Sequence, residues 1–168
     1  MPVYELTRPM TEERLHQILS EHPEFTNRVV THTNATLALN RDKHDGRTIV
    51  LNRAAGIAVT LPAAIGSGAK IDLLIGTAVT SNTTTIKVAN ASDTMVGTVE
   101  STTATGATTN GFMEAAAGTD DTITMNGTTT GGLAGSRVKC IDIAKNVWYV
   151  EGFLVGSGTL ATSLSATV

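Results

Sequence analysis

The stretch GIAVTLPAAIGSGAKIDLLIG, residues 56–76, decides the reading of the fold. Ile57, Val59 and Leu61 alternate with Ala58 and Thr60, the two-residue period of a strand with one apolar face. Pro62 has no N–H to donate and suits the end of that strand. After Gly66-Ser67-Gly68, residues Ile71, Leu73 and Ile75 resume the alternation. A glycine-rich turn followed by lysine can also cradle a phosphate. That chemistry needs G-x-x-x-x-G-K-[ST] between a strand and a helix, with the helix N-terminus aimed at the anion. Here Ala69 separates Gly68 from Lys70, and the residues after Lys70 alternate as a strand. The segment is therefore read as strand, turn, strand.

The same pattern recurs outward from this stretch. Strands are expected at Thr48–Asn52, Ile86–Val88, Thr94–Val99, Thr122–Met125, Arg137–Ile143 and Val147–Val155. Asn110-Gly111 and Asn126-Gly127 supply the positive φ angles of tight turns. Residues 101–118, STTATGATTNGFMEAAAG, have no clear period and are expected to form a long loop or an irregular strand. Short strands with frequent turns predict an all-β fold, a β-sandwich or β-barrel-like domain. Only 4% of the residues are aromatic, so the core is built from Val, Ile, Leu and Ala. Such a core buries less area per residue, which makes association with other chains a source of further stability.

The character of the chain changes near residue 46. Before it lie all four histidines and a dense mixture of charges; after it Thr, Gly and Ala dominate. Residues 1–45 are read as an N-terminal arm and 46–168 as the β domain. The arm holds one short α-helix, capped by Thr11, with Glu12 and Glu13 at its positive end and Pro23 closing it. Leu15, Ile18 and Leu19 share a helical face that must dock, either on the β domain or on a partner, because so short a helix does not persist alone. Tyr4, Leu6 and Phe25 add to this apolar set.

Composition narrows the function. Charged residues make up 16% of the 168, against about 25% in an ordinary globular domain, and the net charge is −3. No basic patch recommends a nucleic-acid binder, no apolar run reaches about 18 residues, and MPVYELTRPMTEER lacks the pattern of a secretory signal. The single Cys140, flanked by Val138 and Ile141, reads as a small core residue rather than a reactive thiol. Assembly in a reducing cytoplasm is expected, so the Asn-X-Ser/Thr matches at Asn34, Asn82, Asn90 and Asn126 carry no glycosylation signal. Asp42, His44 and Asp45 read as a solvated turn before Gly46, and Asp120-Asp121 as a charged turn, rather than as metal sites. With no nucleophile elbow and every histidine in the arm, no catalytic residue, cofactor or metal is expected. Val147–Val155 is apolar on both faces. Trp148 goes with Val150, while Val147, Tyr149 and Phe153 share the other face, which suits contact with a neighbouring subunit.

The runs Asp45–Asn52, Gly56–Ala64 and Gly66–Gly68 together form a pattern that resembles the capsid decoration (cement) and head-fibre proteins of tailed bacteriophages. Thr80–Asn82 before Ile86–Asn90, Asn126–Gly132 and Gly156–Thr159 extend the likeness over about residues 45–168. The motifs are turns and strand ends, and residues 1–44 carry none of them. The resemblance implies a non-enzymatic homotrimer on the outer surface of the virion, clamping major capsid protein subunits against internal DNA pressure. On that expectation Tyr4, Leu6, Leu15, Ile18, Leu19 and Phe25 bind the capsid, and Val147, Tyr149 and Phe153 form the trimer interface. The alternative is a tail-fibre or adhesin-type domain that recognises a host glycan.

Overall fold

The computed structural model describes residues 11–14, 17, 28–104 and 112–168, with backbone only at 112–114 and 117. It is an all-β fold of two sheets packed over one core. In chain order the strands are β1 (Val29–His32), β2 (Thr36–Ala38), β3 (Arg47–Leu51), β4 (Ala58–Thr60), β5 (Lys70–Ile75), β6 (Thr84–Lys87), β7 (Thr94–Thr103), β8 (Phe112–Asp120), β9 (Thr122–Met125), β10 (Arg137–Ala144), β11 (Val147–Gly156) and β12 (Leu164–Ser165). The larger sheet runs β1-β3-β5-β10-β11-β7-β8 and the smaller β12-β9-β6-β4-β2.

Two different constructions meet in this body. From β1 to β6 the chain alternates between the sheets, one strand to each, and every new strand lies parallel to the one before it in the same sheet. Thus Val29 faces Thr48, Arg47 faces Ile71, Thr36 faces Ala58 and Ala58 faces Thr85. That is a flattened coil of three turns, the architecture of a β-solenoid. From β7 onward the chain closes the coil: β9 pairs antiparallel with β6, β10 antiparallel with β5, and β11 bridges β10 to β7. The alternation of residues fixed which side chains face inward, but not the parallel partners, so the coil is an addition to the expected sandwich.

The coil also moves the expected boundary. β1 and β2 lie inside the segment read as an arm, and Val30 and Leu37 pack against the core. The β body therefore begins near residue 28 rather than 46. Glu12–Arg14 and Gln17 are helical, and the Thr11 hydroxyl accepts the Arg14 amide at 3.4 Å, as the capping pattern predicts. The rest of that expected helix lies outside the described residues. The irregular 101–118 segment is mostly strand: β7 continues to Thr103 and β8 begins at Phe112. Asn110-Gly111 lies outside the described residues. Asn126-Gly127 does turn, but as the start of a longer loop: the Asn126 side-chain oxygen accepts the amides of Thr128, Thr129 and Thr130.

Ile49, Leu51, Val59, Leu61, Ile71, Leu73, Ile86, Ile123, Val150 and Leu154 are fully buried, and Trp148 is the largest side chain among them. Each such side chain contributes about 1.5–3 kcal/mol of burial free energy. Trp148 also donates its indole N–H to the Pro62 carbonyl at 3.2 Å, tying β11 to the loop that opened the sequence reading. No helix of the described residues is long and apolar enough to cross a membrane.

Candidate functional site

The Gly-Ser-Gly loop is an anion cradle after all, and the anion is the protein's own. Asp142 sits on the inward face of β10, in step with Val138 and Cys140, and is fully buried. Its carboxylate accepts the amides of Ile65 at 3.1 Å, Gly66 at 2.7 Å and Ser67 at 3.1 Å, and the Ser67 hydroxyl at 2.6 Å. Arg41 completes the ring, donating from Nη2 at 3.0 Å and Nε at 3.3 Å. Arg41 also donates to the Ala63 carbonyl. Burial alone would raise the Asp142 pKa, but the bonds from Ser67, Gly66 and Arg41 outweigh it and hold the group at about 2. A second buried carboxylate, Asp93, accepts the Ala64 amide at 2.9 Å. Two carboxylates thus take the four successive amides of residues 64–67. The successive N–H groups of a glycine-rich turn form a nest for negative charge, whether or not a helix follows. No helix N-terminus is needed here: an inward-facing Asp on β10 fills the nest, a partner that the residues around Gly66 do not reveal on their own.

Asp45 and Asp121, weighed above as metal ligands, also accept backbone amides. Asn40, Arg41–His44 and Asp45 form a one-turn helix in which the Asn40 side chain accepts the Asp42 amide. Asp45 accepts the Lys70 amide at 2.7 Å, and His44 Nδ1 lies 2.9 Å from the Asn40 nitrogen. Burial lowers the His44 pKa from its ordinary value, and the Asn40 backbone opposes this. Asp121 latches the C-terminus, accepting the amides of Thr167 at 2.7 Å and Val168 at 3.0 Å. Burial would raise its pKa, but these bonds and the Thr122 hydroxyl bring it below the usual carboxylate range. Cys140 is fully buried, and burial, reinforced by the Asp72 charge, pushes its thiol up to about 12. Among the described residues no three His, Cys, Asp or Glu side chains converge as a metal site would require. EDTA is therefore expected to shift the melting temperature by less than about 1 °C, a test that differential scanning fluorimetry makes directly.

The candidate contact surface is the outer side of β10, β11 and β7. Trp148, Val150, Gly152 and Leu154 point inward from β11, while Val147, Tyr149, Glu151 and Phe153 point outward. β11 is thus buried on one side within the chain, and its second face is open. The cross-strand register lays this face out in rows. Phe153 lies between Arg137 and Glu100, Glu151 between Lys139 and Thr98, and Tyr149 between Ile141 and Val96. The face has two halves. Toward the Gly66 loop it is apolar: Ile141, Val147 and Val96 are half-buried, Ile143 is 49% exposed where a bulge interrupts β10, and Ile65 is 63% exposed. Toward the other end it is charged and concave, a depression of about 650 Å³ lined by Thr98, Glu100, Arg137, Lys139, Tyr149, Glu151, Gly152 and Phe153.

Of the expected contact residues, the structure brings Val147, Tyr149 and Phe153 onto one face, with Val147 in the apolar half and Phe153 in the depression. The expected capsid-binding residues Tyr4, Leu6, Leu15, Ile18, Leu19 and Phe25 all lie outside the described residues. Comparison with protein-family models, curated proteins and solved structures returns no match to this chain.

Proposed function

We propose that this chain is a structural virion protein of the capsid decoration (cement) type, a non-enzymatic homotrimer held on the outside of the capsid by its N-terminal arm. The resemblance of its turns and strand ends to that group first suggests the reading. The observation that carries it is the open outer face of β11: Ile141, Ile143 and Val147 form an apolar half beside a charged half, as in a surface that meets other proteins. In a three-fold ring that apolar half meets a different surface of the next subunit, because a cyclic trimer is built from heterologous contacts. The arm supplies the attachment. Burial of side chains such as Leu15, Ile18 and Leu19 contributes about 1.5–3 kcal/mol each before ordering costs, multiplied across three copies.

Two measurements test this. Mass determination in solution is expected to give three chains per particle, and a stable folded monomer contradicts that. Deletion of residues 1–27, which stops short of β1, is expected to leave a folded β body that no longer decorates capsids lacking the protein. Undiminished occupancy by the truncated chain transfers capsid attachment to the β body. The second reading, a tail-fibre or adhesin-type host-recognition domain, is favoured by one feature, the depression around Phe153.

A further inference from the structure

We infer that the depression between Tyr149 and Phe153 binds a short, neutral oligosaccharide. This goes beyond capsid attachment and does not rest on it, since a decoration protein and a fibre domain can carry such a site equally.

Shape and ring placement suit a chain of sugars. Tyr149 and Phe153 are four residues apart on the same face of one strand, so their Cα atoms lie about 13 Å apart. That span suits a chain of sugars and exceeds a single ring. Phe153 is 51% exposed, an apolar platform left in water inside a concave patch. The C–H faces of sugars remove such surface from water while their edges keep hydroxyls outward.

The polar lining matches hydroxyl groups. Between the two rings stand Lys139 and Glu151, whose charged atoms are 4.0 Å apart, and Phe153 is flanked by Arg137 and Glu100. Carboxylates only accept hydrogen bonds; Arg and Lys only donate. A sugar hydroxyl does both, so adjacent hydroxyls can be held by a Glu–Lys or Glu–Arg couple.

The balance of charge and the place of the strands disfavour anionic ligands and strand-adding peptides. Arg137 is matched by Asp72 at 3.0 Å and Lys139 by Glu151, and Glu100 adds a further carboxylate. The patch has no surplus of cations for a nucleic acid or a phosphate. A peptide that binds as an added strand needs an open sheet edge to pair with. Here β10, β11 and β7 are interior strands, each hydrogen-bonded on both sides.

The test uses the full-length protein and a panel of neutral tri- and tetrasaccharides of glucose, galactose and N-acetylglucosamine, read by saturation-transfer NMR and calorimetry. At least one is expected to bind with a dissociation constant near or below about 1 mM. Phe153→Ala and Tyr149→Ala are each expected to weaken it by about tenfold or more, and Glu151→Gln by a smaller factor, with particle mass and melting temperature unchanged. The inference is overturned if no sugar of the panel binds up to about 10 mM. It is equally overturned if Phe153→Ala leaves binding intact, or if a sulfated polysaccharide binds more tightly than every neutral one. Loss of the oligomer on Phe153→Ala assigns the depression to subunit contact and also overturns it. Apart from loss of the oligomer, which the particle mass detects, none of these results alters capsid occupancy, so the two readings fail separately.

Discussion

The Asp142→Asn substitution is expected to lower the unfolding free energy by about 3–5 kcal/mol, the cost typical of breaking a buried, hydrogen-bonded ion pair. The amide removes the charge that faces Arg41 and turns one acceptor into a donor, in a cradle made entirely of donors: the amides of 65–67, the Ser67 hydroxyl and the Arg41 guanidinium. For a chain of this length the melting temperature should fall by roughly 10 °C. The same group sets an acid limb. Its carboxyl titrates at about 2 in the folded state. In the unfolded chain it titrates near about 3.9. The resulting stabilisation, roughly 2–3 kcal/mol, is complete above about pH 5 and disappears as the pH falls through 2. Urea unfolding at pH 7 and pH 3 reads both effects. A variant as stable as the parent at pH 7 shows that the cradle contributes nothing net, and a variant with an unchanged acid limb assigns that limb to Asp121 and the other carboxylates.

Gly97→Ala is expected to be still more damaging, at about 4 kcal/mol or more, enough to prevent recovery of folded protein. Gly97 lies in β7 at φ +136, next to the register shift between Met95 and Val96. A Cβ placed there comes within 1.9 Å of the Val150 carbonyl oxygen on β11. The obstacle is backbone in the middle of the sheet, so relief requires separating β7 from β11 rather than turning a side chain. Gly68→Ala is the control. It shares a positive φ, +76, but its Cβ meets nothing within 4 Å. Its cost is therefore confined to the left-handed conformation, about 1–2 kcal/mol. Equal effects at the two positions contradict the steric argument.

Alternation exposed most of the strands, because Ile57, Val59 and Leu61, or Ile71, Leu73 and Ile75, each present one apolar face. The absent signals have physical causes. β1 and β2 are three or four residues long and mix Thr and His with Val, Leu and Ala, so their short period is lost among the charges around them. β8 reads FMEAAAGTD, and Ala and Gly carry little pattern. Parallel pairing leaves no mark at all in a single strand, since the pleat is the same whichever way the neighbour runs. The Asp142 cradle was closer to legible. The period of β10 places Asp142 inward beside Val138 and Cys140, and a buried carboxylate demands donors. What sequence could not supply was the meeting of a loop with a strand 75 residues away. The outer face of β11 was legible as apolar. Its charged half was not, because Arg137, Lys139 and Glu100 come from neighbouring strands.

The coil of β1 to β6 works as a ruler. Each turn lays one strand on both sheets at once, so adding a turn thickens the body by one inter-strand step, about 4.8 Å, and removing one thins it equally. The antiparallel ladders of the closure reach only the last turn, through β5 and β6, while Arg41 is the side chain ahead of β3 that bonds Asp142. A turn inserted between β2 and Arg41 therefore leaves the closing strands with their ladder partners, and keeps the Asp142 cradle, the Trp148 bond to Pro62 and the outer face of β11 as they are. The distance of that face from β1 can vary in whole steps, by duplication of a segment of roughly two dozen residues, without redesign of either end.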